Sequence, residues 1–143
     1  MWIWRDFFCP IMKLEHIGIA VKNIESANQI FSDLFGQDAY KQEDVASEGV
    51  STSFFQVGES KVELLEASAP DSAIAKFIEK RGEGIHHLAF EVEDIDSEIA
   101  RLSGLGYRLI NETPKDGADN KRIAFLHPKS TNGVLVELCQ EKS

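Results

Sequence analysis

The sequence predicts an α+β fold in which two βαβββ modules pair about a pseudo-twofold axis. Three repeated features carry that prediction. The strand-like stretches Glu15-His16-Ile17-Gly18-Ile19-Ala20-Val21 and Gly84-Ile85-His86-His87-Leu88-Ala89-Phe90-Glu91-Val92 align on His16 and His87, 71 residues apart (87 − 16). The alignment carries Val21 onto Val92 and Ile24 onto Ile95, and a helix-like segment follows in both halves. Further on, Lys61-Val62-Glu63-Leu64-Leu65 is echoed by Leu135-Val136-Glu137-Leu138-Cys139, with Glu63 and Glu137 74 apart (137 − 63), the three extra residues being absorbed by a loop. Side chains alternate faces along a strand. His16, Gly18 and Ala20 therefore share one face of the first copy, and His87, Ala89 and Glu91 one face of the second. His86 falls on the apolar face with Leu88, Phe90 and Val92, where a core histidine is expected.

In chain order, Asn23 is placed to cap a helix through Phe35, with Ala27, Ile30, Phe31, Leu34 and Phe35 on one face and Gly36 as its stop. A polar connection follows, with a short strand around Ala39-Tyr40-Lys41. Val50 to Val57 is rich in strand formers, and Gly58-Glu59-Ser60 turns it into the Glu63 strand. A linker helix over about 72–81, capped by Asp71 or Ser72, carries Ile74, Phe77 and Ile78 and stops at Gly82. The second module helix starts at Asp94 or Asp96, buries Ile95, Ile99 and Leu102, and ends near Ser103. Arg108 to Asn111 is expected as a strand and Glu112 to Asn120 as a loop. Lys121 to His127 and Gly133 to Gln140 complete the sheet. The modules span about 12–70 and 83–141, within one domain over 12–141.

At 143 residues, 43% hydrophobic and 27% charged, the chain has the bulk of an ordinary globular domain. A net charge of −9 argues against nucleic acid or an acidic membrane surface as partner. An anionic substrate then needs a local basic patch, because exposed charges are screened beyond ~8–10 Å. Cys9 and Cys139 make no disulfide framework. Cys139, on an expected strand, reads as a buried thiol in a reducing cytoplasm. Residues 1–11 are aromatic, but Arg5, Asp6 and the lack of a small-residue cleavage site exclude a signal or membrane segment. They are expected to be an extension ahead of a start at Met12; the alternative is a patch packed on a partner subunit.

Each module offers one inward histidine and one inward glutamate. If the sheets pack about the twofold, His16, Glu63, His87 and Glu137 converge, and this nitrogen–oxygen set suits Co²⁺, Mn²⁺, Ni²⁺ or Zn²⁺. Four ligands on a six-coordinate ion leave two positions for substrate oxygens, the arrangement for Lewis-acid stabilisation of an enolate. An inward glutamate on an aliphatic strand is costly unless paired or metal-bound, and here there are two. His127, before Pro128 in a turn, reads as structural, with a substrate contact as its alternative.

The chain resembles the methylmalonyl-CoA epimerases of the vicinal oxygen chelate superfamily, which includes glyoxalase I. The resemblance is carried by His16-Ile17-Gly18-Ile19-Ala20-Val21, Lys61 to Glu66, Ile74-Ala75-Lys76-Phe77, Gly84-Ile85-His86-His87, Glu112 to Ala118, and Phe125-Leu126-His127-Pro128-Lys129 through Gly133 to Leu138. It covers Met12 to Glu141. It implies the glyoxalase-like fold, metal ligands at His16, Glu63, His87 and Glu137 with Co²⁺ first among the metals, and a homodimer. The implied substrate is an acyl-CoA, methylmalonyl-CoA, whose (2R) and (2S) forms interconvert by proton transfer at C2 through an enolate.

Two groups must flank C2, each within ~3 Å of it. Glu137 serves as ligand and base in the resemblance. For the second, some relatives carry Glu two residues after Gly49-Val50, where this chain has Thr52. Glu48 is the substitute, with Lys61 as its rival; a solvated carboxylate and a surface lysine are their plain alternatives. Lys115, Lys121, Arg122 and Lys129 cluster in the loops of the second half and are expected to meet the CoA phosphates, or else to form a solvated face. A glyoxalase-type lyase acting on a glutathione hemithioacetal and a non-catalytic binding module are the competing functions.

Overall fold

β1 (Lys13–Ala20) and β5 (Gly84–Glu91), the two histidine strands, run antiparallel side by side at the centre of an eight-stranded sheet. This is a computed structural model, and it describes residues 12–143. The extension expected over residues 1–11, with Cys9, lies outside the described residues. Beyond β1 come β4 (Ser60–Ala67), β3 (Val50–Val57) and β2 (Lys41–Val45). Beyond β5 come β8 (Val136–Glu141), β7 (Lys121–Leu126) and β6 (Lys115–Asp116). The order β2-β3-β4-β1-β5-β8-β7-β6 maps onto itself when the halves are exchanged, with β4 parallel to β1 and β8 parallel to β5. The central register obeys the same exchange: His16 lies opposite Ala89, and Gly18 opposite His87.

Three helices cover the sheet. In α1 (Ile24–Phe35) the Asn23 side chain accepts from the Ser26 N–H, and Gly36 at φ +70 ends the helix in the left-handed region glycine favours. α2 (Ala73–Arg81) is capped by Ser72 and α3 (Ile95–Gly104) by Asp94. α1 lays Ile24, Ala27, Phe31 and Phe35 on Phe55 and Leu64. α3 lays Ile95, Ile99 and Leu102 on Ala124, Leu126 and Leu138. Each fully buried aliphatic side chain contributes about 1.5–3 kcal/mol. α2 plugs one end of the sheet, with Ile74 against Ala20, Val50 and Leu65. With α1 and α3 on one face, the sheet curls so that its other face encloses a cavity.

Four local expectations need correction. Ile30 and Leu34 are 62% and 68% exposed, because the α1 stripe is wider than the contact and these two flank its edge. The short strand expected around Ala39-Tyr40-Lys41 begins only at Lys41. Arg108 to Asn111 forms a single bridge, Leu109 to Leu126, rather than a strand. There the Asn111 side chain takes the Phe125 N–H that a continuing ladder would use. The strand on that edge is instead Lys115–Asp116, inside the expected loop. The two sheet edges are joined by polar bridges: Lys41 Nζ to Asp119 Oδ1 at 3.1 Å, the Asp119 N–H to Glu43 Oε1 at 3.0 Å, and Lys115 Nζ to Glu48 at 3.1 Å.

Among the described residues no helix is long and apolar enough to cross a membrane. Cys139 is fully buried, and burial pushes its thiol pKa far up, so it packs as an inert apolar residue. Gly18 is required by close approach: a Cβ there would collide with the His87 ring. Gly18→Ala should therefore cost about 1–3 kcal/mol, read as a lower urea midpoint, and should weaken metal binding by displacing His87.

Candidate metal centre and active site

The four predicted ligands meet across the twofold. His16 Nε2 lies 3.0 Å from His87 Nε2. Glu63 Oε1 is 3.2 Å from His16 Nε2 and 3.6 Å from His87 Nε2, and Glu137 Oε1 is 3.8 and 3.3 Å from the same atoms. All four residues are at most 5% exposed. A cation with bonds of about 2.0–2.2 Å holds neighbouring donors about 3.0–3.5 Å apart, so this set fits a divalent metal closely. His16, His87 and Glu137 form the tightest group, with ligand atoms all within 4.8 Å of one another.

Strand irregularity decides what stands behind the ligands. The β1–β5 ladder slips twice, between Leu14 and His16 and between Gly18 and Ile19, which leaves Glu15 and His86 as extra residues. A bulge of this kind turns consecutive side chains toward one face. Glu15 thus joins His16, its Oε1 2.6 Å from His16 Nδ1. His86 joins His87, with the two Nδ1 atoms 2.9 Å apart. His86 is therefore not the plain core histidine that alternation predicts; it buttresses a ligand. Ligating histidines are commonly fixed through the second ring nitrogen, which sets tautomer and orientation. Glu15 and His86 also stand 71 residues apart, so the repeat held a signal for both that strict alternation hides.

The electrostatics of the metal-free protein follow from these contacts. Burial opposes the His16 imidazolium, but hydrogen bonds to Glu15 and Glu63 outweigh it and raise its pKa to about 10. Burial likewise opposes the Glu63 carboxylate, and His16 and His87 overcome it, holding Glu63 at about 2. For Glu137 burial wins and its pKa rises. Burial, then the His87 charge, lowers His86 to about 4, so it is neutral at pH 7.

The centre opens into a cavity of about 260 Å³. Glu48, Thr52, Lys115 and Lys121 line it along with the four ligands. Both Glu48 carboxylate oxygens accept from Lys115 Nζ at 3.1 Å. Thr52, where some relatives carry Glu, is 1% exposed and donates to the Glu43 carbonyl. Lys61 does not line the cavity. It bridges Glu15 at 2.7 Å and Asp119 at 2.9 Å, contacts that raise its pKa against the opposing effect of burial. Lys121 is 3% exposed and pairs with Glu141 at 3.3 Å. Lys129 is exposed in the turn after β7, and His127 Nδ1 accepts from its N–H, as expected of a structural histidine.

Two measurements check this geometry. Glu15→Gln should lower metal affinity about 10–100-fold by calorimetric titration, as loss of such a support does. Since the metal must displace the His16 proton, apparent affinity should rise about tenfold per pH unit below the folded pKa of about 10, with protons released on binding. Titrations in buffers of different ionisation enthalpy read that release.

Residues 15–125 match the Glyoxalase/Bleomycin resistance protein/Dioxygenase superfamily. The chain is 42% identical to protein YqjC of Bacillus subtilis over 91% of its own length and 93% of that protein's. It is 40% identical to the ethylmalonyl-CoA/methylmalonyl-CoA epimerase of Cereibacter sphaeroides, over 91% of this chain and 98% of that one. A variant of the Streptomyces coelicolor methylmalonyl-CoA epimerase, solved in complex with 2-nitronate-propionyl-CoA, superposes with a TM-score of 0.88 at 33% identity, covering 92% of this chain and 95% of that one. The chain belongs to the Glyoxalase/Bleomycin resistance protein/Dioxygenase superfamily and, within it, to the family of the methylmalonyl-CoA epimerases.

Proposed function

We propose that this protein interconverts the (2R) and (2S) forms of methylmalonyl-CoA by moving a proton at C2. The observation that carries the proposal is the convergence of His16, Glu63, His87 and Glu137 in a cavity that also presents a second carboxylate, Glu48. A divalent cation held by those four residues, with Co²⁺ the first choice and Mn²⁺, Ni²⁺ or Zn²⁺ the others, would supply Lewis-acid stabilisation of negative charge on the thioester and carboxylate oxygens. The chain's own groups move the proton. The Glu137 carboxylate takes the hydrogen from C2, leaving an enolate. Glu48, held against Lys115 on the cavity wall, delivers a proton to the opposite face, and inversion results. In the reverse direction the two carboxyl groups exchange roles. Lys61 acts at one remove, fixing Glu15 and through it His16. The name of the Cereibacter relative supports ethylmalonyl-CoA as a second substrate.

The test is exchange of the C2 hydrogen of methylmalonyl-CoA in D₂O, followed by mass spectrometry. Metal-loaded protein should catalyse exchange and chelator should abolish it. Glu137→Gln should lower kcat by about 10²–10⁴-fold. Glu48→Gln should slow inversion while sparing exchange from the Glu137 side. Loss of methylglyoxal–glutathione adduct with no C2 exchange would instead identify a lyase.

A further inference from the structure

A second cleft, of about 400 Å³, adjoins the central cavity and shares His86, His87, Ala73 and Leu135 with it. Its walls are Lys76, Phe77, Lys80 and Arg81 of α2, Ile85 at the start of β5, and Val134 before β8. Its character differs from that of the metal centre. Lys76, Lys80 and Arg81 are exposed, and none is taken up by the ion pairs found among the described residues. Lys76 and Lys80 stand one helical turn apart, so they rise from the same side of α2. Between these cations and the histidines the floor is apolar: Ile85 is 63% and Val134 41% exposed, and Phe77 packs edge-on against His86 with ring centroids 4.9 Å apart.

We infer that this cleft is the seat of the CoA moiety, with Lys76, Lys80 and Arg81 receiving its phosphates and Ile85, Phe77 and Val134 its pantetheine arm. The assignment rests on the acyl-CoA substrate proposed above. Three facts single out this cleft. It is continuous with the metal centre through His86 and His87, so a thioester at the metal has its arm directed along it. Its charge opposes that of the whole chain: at net −9, a group of unpaired cations is what a polyanionic tail needs at close range. And the cations of the other loops are mostly spent, Lys115 on Glu48 and Lys121 on Glu141 and Glu15. Lys129 alone among them fits the new placement, since Pro128 of its turn forms part of the cleft wall. The phosphate-binding function expected of the second-half loops thus passes largely to α2, the helix between the modules.

Calorimetric binding to the metal-loaded protein tests this, with acetyl-CoA and acetyl-pantetheine as paired probes. The second keeps the thioester and the arm but carries no phosphate. Lys76→Glu/Lys80→Glu should weaken acetyl-CoA binding at least about tenfold, as loss of two charge-assisted contacts does. It should leave acetyl-pantetheine unchanged. Lys13→Glu/Lys142→Glu, an equal change of net charge outside the cleft, should weaken acetyl-CoA binding far less. Equal losses in the two double variants, or equal losses for the two probes, would overturn the assignment. Exchange at C2 of methylmalonyl-pantetheine reports on the epimerase proposal separately, because that substrate has no phosphate to place. Exchange there, with acetyl-CoA affinity indifferent to Lys76 and Lys80, sinks the cleft and leaves the epimerase standing.

Discussion

Glu63 and Glu137 bring two carboxylates, both almost wholly withdrawn from water, to within 4 Å of the same two imidazole nitrogens, and so much buried charge persists only with positive charge at its centre. In the metal-free protein part of that charge is the proton on His16. A divalent cation provides more of it and satisfies all four donors at once. The rest of the architecture serves this point. The twofold exchange of modules delivers one histidine and one glutamate from each side, and the curl of the sheet keeps bulk water from the result.

Behind the ligands the two halves have diverged. At the two bulges the same position became Glu15 in one module and His86 in the other. An ionised carboxylate behind His16 favours the charged ring, and a neutral imidazole behind His87 gives no such bias. Burial disfavours the Glu15 carboxylate, but His16 and Lys61 hold its pKa at about 2. Lys61 continues the chain of contacts to Asp119, and Asp119 reaches Lys41 and Glu43 on the opposite sheet edge. The ligand His16 is thereby tied to the polar bridges that close the sheet. On the other side His86 faces the cationic cleft. One duplicated position thus serves the closure of the cavity in one half and its mouth in the other.

The repeat made most of the fold and all four ligands legible before any coordinates, because offsets of 71 and 74 residues survive divergence wherever side chains meet at the twofold. Helix limits were equally plain at Asn23, Ser72, Asp94 and Gly36, where capping chemistry is local. Legibility failed where register rather than composition decides. Strict alternation put Glu15 and His86 on the wrong faces, since one extra residue in a ladder inverts the pattern on one side of it. It failed also at Arg108 to Asn111, where an asparagine side chain takes the hydrogen bond that a strand would have used.

The sequence by itself determined the duplication, the strand and helix inventory, and the identity of the donors, since these depend on periodicity and residue chemistry within short windows. Only the tertiary structure decided which lysines are free. Lys61, Lys115 and Lys121 pair with carboxylates far away in the chain, whereas Lys76 and Lys80 are left beside an open cleft. A charge's availability is set by its neighbours in space, and those follow from how the sheet curls.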